Sequence, residues 1–202
     1  MDFKENLKEF AIFSLNDIRK IEADFDLRRL SEWQAKGYIK MIRSGYYIFS
    51  DLELSESVLF LIANKIYSPS YISFEMAFSH YGLIPEAVYG ITSATSQKTN
   101  RFKTDFGEFI YCHLKPDLMF GYTLVLCQTH HFKIAEIEKA LIDYFYINSH
   151  LKSENDFAEI RFNSEEFKLK ANKEKLNKYL EVFGSKSLSQ RVNKFLTYIK
   201  YA

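Results

Sequence analysis

The residues that most restrict the fold of this chain lie between Asp26 and Phe49. Leu27, Leu30 and Trp33 recur at helical spacing, and the run stops at Gly37, a residue suited to the left-handed position just past a helix end. Residues 38–43 and 46–49 are two short stretches rich in Tyr and Ile. They flank Ser44-Gly45, which predicts a tight hairpin. Asp26 stands where a third helix, 27–36, needs its cap. Upstream, Ser14 with Asp17 three residues on predicts a capping box that opens a second helix, with Leu15, Ile18 and Ile21 as its buried stripe. A first helix is expected over 3–11, with Phe3, Leu7, Phe10 and Ile12 near one face. A helix-rich segment closed by a two-stranded hairpin, all within 50 residues, can bury only one small core.

That order of elements is the order of a winged helix-turn-helix, and charge singles out the same stretch. The whole chain has a formal net charge of +1, which gives no global signal for nucleic acid or membrane. Between Arg28 and Tyr46, however, Arg28, Arg29, Lys36, Lys40 and Arg43 face a single acid, Glu32. The third helix is short enough to enter a major groove, and Arg28 and Arg29 lie at its N-terminal end, within reach of base edges or phosphates. The hairpin tip Arg43-Ser44-Gly45 suits the sugar-phosphate backbone, since Gly45 adds no bulk and Arg43 supplies charge. The expected DNA contacts are therefore Arg28, Arg29, Lys36, Lys40, Arg43 and Ser44. Trp33 shares the face of Leu27 and Leu30, which makes it a core residue rather than a platform for a base.

The remainder reads as a second unit. Helices are expected from Ser55 to Tyr67 and from Ser73 to Tyr81, the latter stopped at Gly82. Strand-like runs follow: YGITSAT, RFKT, FGEFIYCHL, GYTLVLCQ and HFKIA. A helix over 136–148 and two basic helices, roughly 172–183 and 187–200, close the chain. The expected fold is α+β: a winged helix-turn-helix over residues 1–50, then a mixed unit over 51–202 with an antiparallel sheet and C-terminal helices. Hydrophobic residues make up 47% of the chain and aromatics 17%, enough to exclude a disordered polymer. Cys112 and Cys127 form no CxxC and suit a reducing compartment. The start, MDFKENLKEF, lacks the apolar core of a secretory signal, and runs such as VLFLIA are too short to span a bilayer. A cytoplasmic location is expected.

Segment 70–122, SYISFEMAFSHYGLIPEAVYGITSATSQKTNRFKTDFGEFIYCHLKPDLMFGY, resembles the second domain of AbiEi-type antitoxins of abortive-infection (type IV) toxin–antitoxin systems. The features that carry the likeness are HYGLIPE (80–86), ITSAT (91–95), FKTDFGEF (102–109) and KPDLMFGY (115–122). IAEIEKALIDYFY (134–146) is similar to a helix of that family, and FSLNDIRKI with LSEWQAKGYIKMIRSGYYIF to its winged helix. The resemblance runs in order over about residues 10–150. It implies a repressor that binds inverted repeats in its own operator and neutralises a nucleotidyltransferase-like toxin encoded beside it.

Catalytic and metal readings are weaker. Cys127, His130 and His131 lie close together, but no pair has the spacing of a zinc knuckle, and Cys112 and His113 would point to opposite faces of one strand. Glu136, Glu138, Lys139 and Asp143 resemble nuclease carboxylates only by proximity, and Glu138 and Lys139 read as ties between helix and sheet. No enzyme activity, cofactor or metal is expected. Lys98 and Arg101, in a polar run with Ser93, Thr95 and Thr99, read as a basic loop facing an acidic partner or nucleic acid. Lys168, Lys170, Lys173, Lys175 and Lys178 read as a solvated face, with phosphate or partner contacts as the sharper option. The competing reading of the whole chain is a protein-interaction module that sequesters a toxin without binding DNA.

Overall fold

A computed structural model of the chain describes Leu7, residues 10–85 and residues 88–201, the last without its side chain. It begins with β1 (Phe13–Ser14), α1 (Leu15–Ile21), α2 (Arg28–Ala35) and the hairpin β2 (Ile39–Arg43) and β3 (Tyr46–Phe49). The Ser14 side chain accepts from the Asp17 N–H, and Asp17 reaches back to the Ser14 N–H, so the expected capping box opens α1. Gly37, at φ +71°, ends α2, with Tyr38 N–H donating to Trp33 O at 2.9 Å. Strand β3 lies between β1 and β2, antiparallel to both. The helix expected over 3–11 falls mostly outside the described residues; of its apolar positions, Leu7 and Ile12 are buried.

Next come α3 (Glu56–Ile66), β4 (Ser70–Ile72), α4 (Phe74–His80) and β5 (Ile91–Thr95). The strands β6 (Asn100–Thr104), β7 (Gly107–His113), β8 (Tyr122–Cys127) and β9 (His130–Ala135) follow. The helices α5 (Ile137–Ile147), α6 (Glu154–Glu159), α7 (Ser164–Lys170), α8 (Lys173–Phe183) and α9 (Lys186–Tyr201) close the chain. The six strands form one sheet in the order β6-β7-β5-β4-β9-β8. That sheet is mixed, which corrects the antiparallel expectation. The β5–β7 and β4–β9 pairs are parallel, and the other three pairs are antiparallel. Strand β5 is buried along its whole length, as a central strand must be.

Helix α3 covers one sheet face, where Tyr111 Oη donates to Ala63 O at 2.7 Å. Helices α4 and α5 cover the other, where Tyr71 Oη reaches Asp143 at 2.9 Å. Two apolar cores result. Leu7, Phe13, Ile18, Phe25, Leu30, Ile39 and Tyr47 fill the small one. The large one surrounds the six-stranded sheet and also takes in Ile12, Ile42 and Ile48, so the hairpin unit is packed against α3. Leu27 departs from expectation: it is 51% exposed, because α2 starts one residue later and Leu27 lies in the turn that Asp26 organises. Among the described residues no helix is long and apolar enough to cross a membrane.

Candidate nucleic-acid interface

Helix α2 begins at Arg28 with Leu27 at its N-cap, so the expected cap Asp26 stands one residue earlier, and its Oδ1 accepts from the Arg28 N–H at 2.9 Å. This leaves the Arg28 side chain exposed at the helix N-terminus. Lys36 follows the last helical turn and Lys40 sits on β2; both are exposed. None of these three cations makes an ion pair among the described residues. Ser44 is exposed in the hairpin turn, next to Gly45 at φ +85°. Strand β2 is irregular between Met41 and Arg43, which turns Met41 outward (47% exposed) and buries Ile42.

The other two expected contacts are held within the protein. Arg29 Nη1 donates to both carboxylate oxygens of Glu22 at 2.8 Å, and its guanidinium lies 4.7 Å from the Phe25 ring centre and 5.3 Å from that of Trp33. Trp33 in turn packs against Phe25 and is half-buried, the structural role expected for it. Arg43 Nη1 donates to Ile66 O at 3.1 Å, and its guanidinium stacks 3.9 Å over Phe102 of β6. These two arginines fasten the unit: Arg29 inside it, Arg43 onto the large sheet.

A third fastener could not be read from spacing alone. Asp17 is almost fully buried and accepts from Ser14, from Lys20 Nζ at 3.1 Å and from Lys65 Nζ of α3 at 3.0 Å. Burial by itself would raise its carboxyl; the hydrogen bonds from Ser14, Lys65 and Lys20 outweigh it and hold the group at about 2. The capping-box motif found Asp17 but gave no sign of Lys65.

Lys98 and Arg101 come close to the hairpin through the last turn of α3. Tyr67, next to the Ile66 carbonyl that Arg43 uses, donates its hydroxyl to Lys98 O at 2.9 Å and packs on Phe102. The Lys98 side chain is exposed. Arg101 lies 3.6 Å from Glu108, and Lys103, which sequence spacing did not single out, lies 3.9 Å from the same carboxylate. Exposed cations thus stand on both units, Arg28, Lys36 and Lys40 on the small one and Lys98 on the large one.

The residues weighed for chemistry lie apart from one another or in ties between elements. Cys127 faces His130 across β8–β9, whereas Cys112 and His113 lie on β7, separated from that pair of strands by β5 and β4. Among the described residues no three His, Cys, Asp or Glu converge as metal ligands. Burial pushes the Cys112 thiol up to about 11, so its thiolate is disfavoured. Glu136 binds Lys175 at 3.2 Å and the Tyr179 hydroxyl, and Glu138 accepts from the Asn172 N–H, so both tie α5 to α8 and the turn before it. Lys139 has no exposed side-chain surface. Its ammonium meets Asp143 and the Tyr71 hydroxyl (2.7 Å), and Asp143 also accepts from Ser73 and Tyr71, each at 2.9 Å. Lys168, Lys170 and Lys175 pair with Glu165, Glu166 and Glu136.

The fold and this surface define an α+β protein in which a small helix-and-hairpin unit presents cations beside a six-stranded mixed sheet. The chain is similar in structure to the Rv2827c protein from Mycobacterium tuberculosis, with a TM-score of 0.61 at 12% identity, covering 96% of this chain and 75% of that one. At that identity the likeness speaks for the fold alone. No protein-family model and no curated protein matches the sequence.

Proposed function

We propose that the chain is a DNA-binding antitoxin of the AbiEi type, a non-enzymatic, cytoplasmic autorepressor. In this reading residues 1–50 form a winged helix-turn-helix that binds an inverted-repeat operator. Residues 51–202 neutralise a nucleotidyltransferase-like toxin. The observation that carries the DNA half is the set of Arg28, Lys36 and Lys40. They stand exposed and without ion-pair partners, among the described residues, around one short helix and its hairpin. The resemblance across residues 10–150 supports the antitoxin half.

The test is a fluorescence-anisotropy titration of the full chain on the DNA upstream of its own gene and on unrelated DNA, at several salt concentrations. Tighter binding to the upstream DNA, with affinity falling steeply as salt rises, is the expected result. Equal binding to both sequences removes the repressor reading. The competing reading, toxin sequestration without DNA, draws on the internal use of Arg29 and Arg43. Co-purification with the toxin in the absence of any DNA binding would establish it instead.

A further inference from the structure

Strand β8 is an edge of the large sheet, and among the described residues nothing pairs with its outer side. Its sequence, YTLVLC, contains no charged residue and no proline. Tyr122, Leu124 and Leu126 alternate along it on one face and are 36%, 59% and 63% exposed. Strand residues at spacing two share a face, so these three make one apolar stripe. Helix α5 packs over the same face further in, where Tyr71 stacks on Tyr122 at 5.1 Å, but it leaves Leu124 and Leu126 uncovered. Lys133 and His131, the partners of Leu124 and Leu126, are on β9, one strand in from the edge.

Edge strands that must stay single are usually blunted by charge, by proline or by a bulge. Strand β6, at the opposite edge, carries Arg101 and Lys103. Strand β8 carries no such protection, and its regular ladder with β9 runs unbroken from Tyr122 to Cys127.

We propose that β8 pairs antiparallel with β8 of a second copy of this chain, across a two-fold axis perpendicular to the sheet. That operation keeps like faces together. It sets Leu124 against the partner's Leu124, and Tyr122 against the partner's Leu126. The three exposed side chains of each copy then cover one another, the free N–H and C=O groups of both edges are satisfied, and no charge stands opposite a charge. A foreign strand could fill the same edge, but the stripe is its own complement in this register and needs no other sequence. Two such edges bury less than the ~800 Å² per partner of a standard interface, so the dimer is weak, with a dissociation constant in the micromolar range or above. The proposal is independent of the DNA reading, since none of its residues belongs to the basic surface.

The experiment is sedimentation equilibrium of the full chain from micromolar to millimolar concentration, with two kinds of variant. The wild type should pass from monomer to dimer. The double variant Leu124→Lys/Leu126→Lys, its circular dichroism unchanged, should raise the dissociation constant by at least about tenfold, because like charges opposite each other destabilise a strand pair. In a Cys112→Ser/Cys127→Ser background, Leu124→Cys should form an oxidised dimer, since the register brings the two Cα atoms to about 5 Å. Leu126→Cys should not, because its two copies lie about 13 Å apart along the strands. A wild type that stays monomeric at millimolar concentration overturns the proposal. So does a dimer that the double variant leaves intact, or oxidation at position 126 equal to that at 124.

Discussion

In the helix-and-hairpin unit, Arg28, Lys36 and Lys40 carry their charge into solvent. On α5, packed against the large sheet, Lys139 is buried in the core, beneath Phe120 and Phe183 and against Asp143. The two regions hold the same kind of side chain under opposite conditions. A buried ammonium must be paired and hydrogen-bonded or it is very costly, and Lys139 has Asp143, with Tyr71 and Ser73 completing the donors around that carboxylate. An exposed ammonium in water contributes little to stability and stays available to an external anion. Position in the fold, more than residue type, decides whether a cation here holds structure or stands in solvent.

The largest effect is expected where the buried pair is broken. Asp143→Ala leaves Lys139 enclosed without its counter-charge and removes the acceptor of Tyr71 and Ser73; a loss of about 3–5 kcal/mol in urea unfolding is expected. Burial, the larger cause, lowers the Lys139 ammonium and raises the Asp143 carboxyl, and their mutual attraction opposes both shifts without reversing either. A loss under 1 kcal/mol, roughly what an exposed ion pair contributes, would place Lys139 with the surface cations and erase the contrast.

Asp17 lies between the two conditions, since it is buried yet bridges the unit to α3 through Lys65. Its carboxyl is held at about 2, below the ordinary 3.8. A depressed carboxyl contributes stability that is present above the unfolded value and is lost as pH falls through the folded one. The contribution is about 2 kcal/mol above pH ~4 and disappears towards pH ~2. Asp17→Asn should therefore cost about 2 kcal/mol at neutral pH, and the gap between variant and wild type should close as unfolding is measured at lower pH. A gap that stays constant with pH would mean that Asp17 acts through shape and hydrogen bonding alone.

Local signals made much of this molecule legible. The Ser14–Asp17 box, the Gly37 stop, the Ser44-Gly45 turn and five strands after Tyr89 are all written in neighbouring residues. What was not legible depends on distant ones. Strands β5 and β7, and β4 and β9, pair in parallel across intervening elements, and period-two alternation names a strand without naming its partner. Strand β4 is three residues long, wholly buried and adjacent to Pro69, so it reads as the end of a helix. The short helices α6 and α7, with their caps Ser153 and Asn163, lie in a polar stretch without a long apolar stripe. The basic surface shows the same dependence on residues outside the local pattern. A count of charges treats Arg28 and Arg29 alike, whereas Glu22, seven residues upstream, takes one and leaves the other.

That last distinction gives the smallest effect on stability and the sharpest one on binding. Arg29→Ala removes a two-pronged ion pair and two ring contacts, and Arg43→Ala removes a hydrogen bond to Ile66 O and the stack on Phe102. Each should lower stability by about 1 kcal/mol, the ion pair counting for little because both partners are more than a third exposed. The salt slope of DNA binding should not change for either. Arg28→Ala and Lys36→Ala should leave stability within about 0.5 kcal/mol and weaken DNA binding, each lowering the logarithmic salt slope by about 1 if it meets a phosphate. The two pairs separate because a guanidinium held by Glu22 or by Ile66 would have to give up that partner before meeting a phosphate. A reduced salt slope in Arg43→Ala with unaltered stability would show that the hairpin tip lets go of Phe102 on DNA, and would move Arg43 from fastener to contact.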